Sequence, residues 1–322
     1  MKKILSLHLT VLLLFSVVLS SIDTEQSLPL RRIKSTSFIE DIIGSRNIKL
    51  VGLDLDFTLS EPCEPITIEV IEQLIALNKE EVHICIITGA LFKVVENRVL
   101  NPLRNFIETE QVDFDWEKFY LFTETGSSGY IFNSLSEERR IFHREFDQMQ
   151  NDAIDQAWED FNSRYGKDST TDTYRTSGKS TVYFKSTGIE PITEYVNFLR
   201  EKLQGLDIEI TAGGNLESID LTCCNKGEAV SVIQSLLGLR SNELMLVGDS
   251  FKYEFSNDRH MAANGALVFN VGEKAENLEG AYNTGELFPY LAMGPQRTLA
   301  LLRVLEDRFT SFNNIFRDIR EG

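Results

Sequence analysis

The sequence predicts an α/β protein in which a parallel sheet is interrupted by an inserted α+β module. Three apolar segments typical of buried strands end at Asp54, Thr88 and Asp249, and stretches with helical spacing lie between such strands. This alternation favours a right-handed parallel sheet. After about residue 134 the pattern changes to a polar helix, short strands and a loop rich in Ser and Thr at residues 167–180, which predicts the separate module. Other predicted elements are helices at 66–78, 91–106, 147–165, 192–203 and 295–309 and strands at 119–122, 181–184 and 208–211.

The first strand leaves two carboxylates at its carboxyl end. Side chains alternate along a strand, so Asp54 and Asp56 start on the same side. Two anions this close repel each other, and the pKa of one rises unless a cation lies between them. The pair suits a divalent metal, or a nucleophile beside a proton carrier. Acids at strand ends also serve as turn formers or helix caps, which is the simpler alternative.

The later strands deliver further polar groups to the same edge of the predicted sheet. The second strand stops at Thr88 and Gly89, the third at Asp249, and Lys226 precedes a helical pattern at residues 228–236. In an open parallel sheet, ligands bind where the carboxyl ends of the strands meet. Each residue alone is equally typical of a turn, a helix start or a cap. Their combination in this order predicts one site.

The motif order resembles that of a known enzyme superfamily. Asp-x-Asp-x-Thr at 54–58, Thr-Gly at 88–89, Lys-Gly at 226–227 and Gly-Asp-Ser…Asn-Asp at 248–258 are similar to the motifs of the haloacid dehalogenase superfamily of phosphatases. More narrowly, the chain resembles the type IIB branch, which includes Cof-like sugar phosphatases, sucrose-phosphate phosphatase and phosphomannomutase. The resemblance implies a HAD-like Rossmannoid parallel sheet and an inserted C2-type cap that covers the site.

The domain boundaries follow from this resemblance and from the amino terminus. We expect the catalytic core at residues 47–134 and 216–322, the cap at 135–215, and a polar lead-in at 22–46. Residues 1–21 have a short positive start, an apolar run and then small residues, the pattern of a signal peptide. We therefore expect a secreted or periplasmic protein without a stable membrane span after cleavage. A leader that is not cleaved would leave it cytoplasmic or membrane-anchored.

The resemblance also implies residue roles. Asp54 would be the nucleophile that forms an aspartyl-phosphate, and Asp56 the general acid and base. Thr88, Gly89 and Lys226 would bind the phosphate group. In the cap, several residues are candidates for contact with a sugar or a second anion, although a solvated surface is the simpler interpretation of each one alone. They are Arg139, Arg140, Arg144, Lys179, Tyr183 and Lys185.

The implied cofactor is Mg²⁺. Its ligands would be Asp54, the backbone carbonyl of Asp56, Asp249 and Asp258. The loop that follows Asp249 is longer than is usual in the superfamily, which leaves open whether Asp258 or Glu254 completes the metal site. Phe57 stands where most relatives have glycine, so we expect a bulkier and stiffer first loop.

The resemblance and the residues together predict a magnesium-dependent phosphatase that hydrolyses a small phosphomonoester, with a sugar phosphate as the leading candidate. A phosphomutase of the phosphomannomutase type shares the same core motifs and is the first alternative. A binding protein that has lost catalysis on the same fold is the second. Nothing in the sequence indicates the oligomeric state.

Composition limits the partners. The chain has 322 residues, of which 42% are hydrophobic, so it can bury a large core. Its formal net charge of −17 argues against nucleic acid as a partner, because no excess of Lys and Arg is present to neutralise phosphates. It does not exclude a small phosphorylated substrate, which one lysine and one metal ion can hold locally.

The four cysteines do not predict a disulfide framework. Cys85 lies within an apolar strand, and the adjacent Cys223 and Cys224 have poor geometry for a bridge with each other. A bridge from Cys63 to Cys223 or Cys224 stays open.

Overall fold

The computed structural model describes residues 38–166, 172–185, 188–213, 216–262, 265–275 and 281–321, with side chains as far as residue 309. The chain divides into two units between Ser45 and Arg46. In the first unit, the described residues contain the helical segment α1 (residues 38–44). The predicted signal peptide at residues 1–21 lies outside the described residues. Within the described part of the chain, no helix has both the length and the apolar character needed to cross a bilayer.

The second unit contains twelve strands among its described residues. In chain order they are β1 (Leu50–Leu53), β2 (His83–Ile87), β3 (Phe119–Thr123), β4 (Ser128–Phe132), β5 (Glu138–His143), β6 (Asp172–Thr176), β7 (Lys179–Tyr183), β8 (Glu209–Ala212), β9 (Ser218–Thr222), β10 (Leu244–Gly248), β11 (Leu267–Asn270) and β12 (Ala281–Asn283). Eight of them form a large sheet in the order β12-β11-β10-β1-β2-β3-β4-β5, and the other four form a small sheet in the order β6-β7-β9-β8.

Helices connect these strands. They are α2 (Ile68–Lys79), α3 (Phe92–Val95), α4 (Asn101–Glu110), α5 (Gln148–Tyr165), α6 (Ile189–Lys202), α7 (Lys226–Leu237), α8 (Arg259–Ala262), α9 (Thr284–Leu287) and α10 (Pro295–Glu321).

The large sheet confirms the predicted fold class, a mixed α/β protein built on a mainly parallel sheet. Strands β12 to β3 are parallel, and β4 and β5 extend the sheet as antiparallel strands. All four residues of the central strand β1 are buried, as expected for a parallel strand covered on both faces. The chain continues from β1 to β2 on one side, whereas β10 lies on the other side. A crevice therefore opens at the carboxyl end of β1, where parallel sheets bind ligands.

The small sheet is antiparallel and has its own core. Its apolar cluster joins α5 and α6 to the strands and centres on Phe161, which is fully buried and packs edge-on against Trp158, Tyr195 and Phe198. Replacing such a buried ring by alanine usually costs about 3–5 kcal/mol. This sheet and its two helices form the predicted α+β module.

Sheet membership differs at both ends from the predicted cap at residues 135–215, although that division itself remains a prediction. Strand β5 pairs with β4 in the large sheet, and β9 pairs with β7 and β8 in the small one. The prediction of a loop at residues 167–180 is wrong for residues 172–176, which form β6, and for residues 179 and 180, which begin β7 opposite it. Thr173, Tyr174 and Thr176 have high β propensity, and backbone pairing with β7 stabilises β6 further. Residues 167–171 lie outside the described residues.

The predicted helix at residues 91–106 is interrupted. Helix α3 passes into a π-helical turn at Glu96–Leu100, and α4 follows it with Pro102 in its first turn. Proline has no N–H to donate to the carbonyl of Arg98, four residues earlier. That carbonyl instead accepts a hydrogen bond from the amide of Ile66 at 3.0 Å. The interruption thus links this helical segment to the loop that follows β1.

Candidate active site

Asp54, Lys226 and Asp258 form a buried cluster at the carboxyl end of β1. The Lys226 Nζ lies 2.6 Å from Asp54 Oδ1 and 2.5 Å from Asp258 Oδ1. Lys226 is the first residue of α7, whose N-cap Asn225 accepts a hydrogen bond from the Glu228 amide. The helix start therefore places this ammonium between two carboxylates that come from distant parts of the chain.

Asp249 completes the acidic group, and Asp258 organises the loop between them. Carboxylate oxygens of Asp54, Asp249 and Asp258 all lie within 4.8 Å of one another. Asp258 Oδ2 accepts hydrogen bonds from the amides of Asp249 and Ser250, both at 2.9 Å. Glu254 is exposed and lies outside this group. The geometry therefore favours Asp258 over Glu254.

Two glycines make room for this arrangement. A Cβ at Gly248 would lie 2.3 Å from Asp258 Oδ2, and a Cβ at Gly272 would lie 2.2 Å from the backbone oxygen of Asp249.

Phe57 adopts a left-handed conformation with φ of 55°, which glycine accepts with much less strain. The expected stiffness of the first loop thus includes backbone strain at Phe57.

The cluster holds more negative charge than Lys226 balances. Burial raises the pKa of Asp54 to about 7, with Lys226 opposing the shift and Asp258 adding to it. Burial and the charges of Asp258 and Asp54 raise the pKa of Asp249 well above its usual range. Burial alone would lower the pKa of Lys226, but Asp258 and Asp54 outweigh it and raise that pKa. Three carboxylates beside one ammonium are a set of oxygen ligands that suits a hard divalent cation.

The raised pKa of Asp54 predicts that stability without metal ions depends on pH. Between its ordinary pKa of 3.8 and its folded value of about 7, the folded state binds a proton that the unfolded state has lost. The free energy of unfolding in EDTA should therefore fall as pH rises across this window. Urea titrations at several pH values measure this slope, and Asp54→Asn should make it shallower. Equal slopes in the two proteins would contradict the assignment of this charge cluster.

The other predicted phosphate and proton-transfer residues face the same cleft. It has a volume of about 810 Å³, and Asp54, Lys226 and Asp249 line it together with Asp56, Thr88 and Gly89. The hydroxyl of Thr88 is buried and accepts a hydrogen bond from the Ala90 amide at 3.1 Å. The structure thus brings together every residue predicted for the reaction, with Asp258 packed behind Lys226.

Asp56 has a partner that the sequence did not reveal. Its Oδ1 lies 2.7 Å from Nη1 of Arg98, a buried side chain that also lines the cleft. Arg98 occurs in the π-helical turn, 42 residues after Asp56. A polar residue inside a helical pattern is usually a solvated surface residue, so the sequence gives no signal for this role. The π-helical turn, a frequent feature of functional sites, is visible in the structure alone.

Two of the six candidate contacts in the predicted cap, Lys179 and Tyr183, are among the described residues that line the cleft. Lys179 is buried, donates to the carbonyl of Gly89 at 2.9 Å and pairs with Asp220 at 3.0 Å. Tyr183 is about half exposed. Arg144 instead binds Glu228 and the carbonyl of Cys223. The candidates that are absent from the described lining of the cleft are Arg139, Arg140, Arg144 and Lys185.

The module also contributes polar groups that the sequence did not single out. Tyr174, Ser218 and Asp220 line the cleft, and the buried hydroxyl of Tyr174 has no hydrogen-bond partner among the described residues. The buried Oδ1 of Asn257 is also unpaired there. Unpaired buried polar atoms in a cleft usually bind water or a ligand. All four cysteines are free thiols, including Cys63 at the rim of the cleft.

The comparisons with known proteins identify the fold. No protein-family model and no curated protein matches the sequence. A truncated, IMP-bound Plasmodium falciparum IMP-nucleotidase is similar in structure, with a TM-score of 0.62, 16% sequence identity, and 80% of this chain and 68% of that chain covered. The C-terminal domain of Candida albicans trehalose-6-phosphate phosphatase has a TM-score of 0.58 at 14% identity, with 84% and 96% covered.

A further similar structure is the Aspergillus fumigatus trehalose-6-phosphate phosphatase, with a TM-score of 0.52, 15% identity, and 84% of this chain and 97% of that chain covered. At 14–16% identity these likenesses show the fold, and they confirm the HAD-like parallel-sheet fold predicted from the motif order. The type IIB branch remains a prediction that is compatible with this fold.

Proposed function

We propose that this protein is a magnesium-dependent phosphatase that hydrolyses a small phosphomonoester through an aspartyl-phosphate. The observation that carries the proposal is the position of Asp54, at the end of β1, with its carboxylate 2.6 Å from the Lys226 ammonium. Thr88, Gly89 and Asp56 line the same cleft. A carboxylate, a fixed cation and a nearby second acid are the groups that a two-step phosphoryl transfer requires.

In the first step, an Asp54 oxygen attacks phosphorus and the bond from phosphorus to the ester oxygen breaks. Asp56 gives its proton to that ester oxygen, which leaves as an alcohol. Lys226 offsets the charge on the phosphoryl oxygens, and the Thr88 hydroxyl and Gly89 amide hold them. In the second step, Asp56 takes a proton from water as the water oxygen attacks phosphorus. This attack releases inorganic phosphate and restores the Asp54 carboxylate.

The residues present fit a bound Mg²⁺. Asp54, Asp249 and Asp258 would hold it, together with the backbone carbonyl of Asp56, and the close approach of the three carboxylates supports this ligand set. When bound, the ion supplies positive charge that lets the anionic substrate approach and that stabilises the transferring group.

We propose a sugar phosphate as the substrate, because the module presents uncharged hydroxyls and paired charges to the cleft. Tyr174, Tyr183 and Ser218 can exchange hydrogen bonds with sugar hydroxyls, and Lys179 is already neutralised by Asp220. The trehalose-6-phosphate phosphatases among the structural neighbours support this class. The IMP-nucleotidase neighbours favour a nucleoside monophosphate as the second candidate.

The test is phosphate release by purified residues 22–322 with Mg²⁺ and a panel of sugar phosphates, nucleoside monophosphates and p-nitrophenyl phosphate. We expect release that EDTA abolishes and added Mg²⁺ restores, with the highest kcat/KM for a sugar phosphate. Conversion of glucose 1-phosphate to the 6-phosphate, without free sugar, would instead identify a phosphomutase. Binding of a phosphate analogue by folded protein with no turnover of any substrate would identify an inactive binding protein.

We further propose that the protein is exported and that residues 1–21 are a cleaved signal peptide. Support comes from the sequence pattern of this segment, a positive start followed by a short apolar run and small residues. A phosphomutase of this type also depends on a bisphosphate activator, which is intracellular, whereas a phosphatase needs none, so export favours a phosphatase over a phosphomutase.

A further inference from the structure

Arg98 binds one short segment of the chain with all three nitrogens of its guanidinium. Nη1 donates to Asp56 Oδ1 at 2.7 Å, and Nε donates to the carbonyl of Glu64 at 2.8 Å. Nη2 donates to Ser60 Oγ at 2.8 Å and to the carbonyl of Glu61 at 3.0 Å. All four acceptors lie in the loop that follows β1. Arg98 therefore fixes the shape of this loop from one central point.

The backbone of Arg98 holds the same loop. Because Pro102 has no N–H to offer, the Arg98 carbonyl accepts from the amide of Ile66 at 3.0 Å. The π-helical turn at Glu96–Leu100 widens the helix at this position, a distortion that often occurs at functional sites. Side chain and main chain together attach residues 56–66 to the helical segment that follows β2.

The contact with Asp56 leaves one carboxyl oxygen for chemistry. Arg98 uses Asp56 Oδ1, and no hydrogen bond to Oδ2 is found among the described residues. The Asp56 side chain is 39% exposed and lines the cleft, whereas that of Arg98 is only 10% exposed. A planar guanidinium restricts the carboxyl in both distance and direction, which a lysine does not do.

We propose that Arg98 is a positioning residue for proton transfer by Asp56. It holds Oδ1 and the surrounding loop so that Oδ2 faces the oxygen of the leaving group. The proposal rests on the proposed phosphatase function. Arg98 takes no proton itself: the proton moves from Asp56 Oδ2 to the ester oxygen as the bond from phosphorus to that oxygen breaks.

This role predicts an effect that depends on the leaving group. p-Nitrophenolate is a stable anion and needs little protonation as it departs, whereas phenolate is more basic and needs more. The two substrates, p-nitrophenyl phosphate and phenyl phosphate, are otherwise closely similar. A loss of general acid catalysis typically costs about 10²–10⁴-fold and falls mainly on the poorer leaving group.

The experiment compares kcat/KM for these two substrates in wild type, Arg98→Met and Asp56→Asn, with Mg²⁺ saturating. We expect Arg98→Met to lower kcat/KM for phenyl phosphate at least about 10-fold more than for p-nitrophenyl phosphate. In the double variant, the ratio of kcat/KM for the two substrates should be no larger than in Asp56→Asn alone, because both changes remove the same protonation of the leaving group. The matched control is Arg104→Met, whose arginine binds Ser136 and stacks on Trp116 outside the cleft.

Arg98→Lys keeps the positive charge but lacks the planar guanidinium. If Arg98→Met fails to fold, Arg98→Lys supplies the test. It should shift the ratio of the two substrates in the same direction by a smaller factor. Equal losses on both substrates in Arg98→Lys and Arg98→Met, or a merely lowered unfolding temperature, would overturn the proposal and leave Arg98 a structural residue. A folded wild type that releases phosphate from neither of these substrates nor from any other member of the panel would instead refute the proposed function.

Discussion

Asp54→Asn is expected to abolish phosphate release, lowering kcat/KM by more than about 10⁴-fold. An amide keeps the size of the side chain but cannot attack phosphorus to form the covalent intermediate. It also removes the negative charge that lies 2.6 Å from Lys226. The measurement is release of inorganic phosphate from p-nitrophenyl phosphate and from the best substrate of the panel, with saturating Mg²⁺.

Two further variants separate this effect from general damage. Asp56→Asn keeps its backbone carbonyl, so it should lose turnover and retain Mg²⁺ binding by calorimetry. Asp152→Asn changes an exposed carboxylate on α5 whose one partner among the described residues is the Gln148 amide, and it should behave as wild type. Normal turnover by purified Asp54→Asn would refute the assignment of the nucleophile.

The core of the fold was predictable because central parallel strands are almost wholly apolar. The buried runs that became β1, β2 and β10 are recognisable without knowledge of their partners. Strands at the edge of a sheet carry less information. The sequence of β5 alternates weakly, and nothing local to β5 or β9 states which sheet each one joins. Pairing partners are long-range, so these assignments required the structure.

The residues of the site likewise fall into those that local sequence indicates and those whose role depends on long-range contacts. The acids, Thr88 and Lys226 were predictable because each follows an apolar strand or begins a helix, and strand ends converge. Arg98 and Lys179 were harder, because their roles depend on where a long side chain reaches. Lys179 in the module reaches the Gly89 carbonyl of the core, 90 residues away in the chain. No spacing rule encodes such a contact. Arg98 was missed altogether, and Lys179 was only one of six candidates.

The balance of charge around Lys226 is the feature of the site with the widest consequences. Asp258 holds the loop through two amides, Asp54 is the proposed nucleophile, and Asp249 lies within reach of both. One ammonium thus stabilises a group of three carboxylates in the metal-free protein. A divalent cation at the same place would share that task, so stability and metal binding are coupled.

Lys226→Met is therefore expected to destabilise the metal-free protein by about 3–5 kcal/mol, because it leaves buried carboxylates without their cation. Saturating Mg²⁺ should restore much of this loss, so the rise in Tm on adding Mg²⁺ should be larger in the variant than in wild type. Even in Mg²⁺, kcat/KM of the variant should remain more than about 10²-fold below that of wild type, because the fixed positive charge beside the phosphoryl group is gone. Thermal unfolding in EDTA and in Mg²⁺ measures the first two effects.

Lys179→Met is the matched control, because Lys179 is also buried but pairs with the single carboxylate of Asp220. It should be destabilised to a similar degree in EDTA, with a response to Mg²⁺ no larger than that of wild type. A Lys226→Met protein whose Tm rises with Mg²⁺ no more than the control would show that the three carboxylates do not share a metal ion. The magnesium assignment would then have to be abandoned, while Asp54 could still act as the nucleophile beside Lys226.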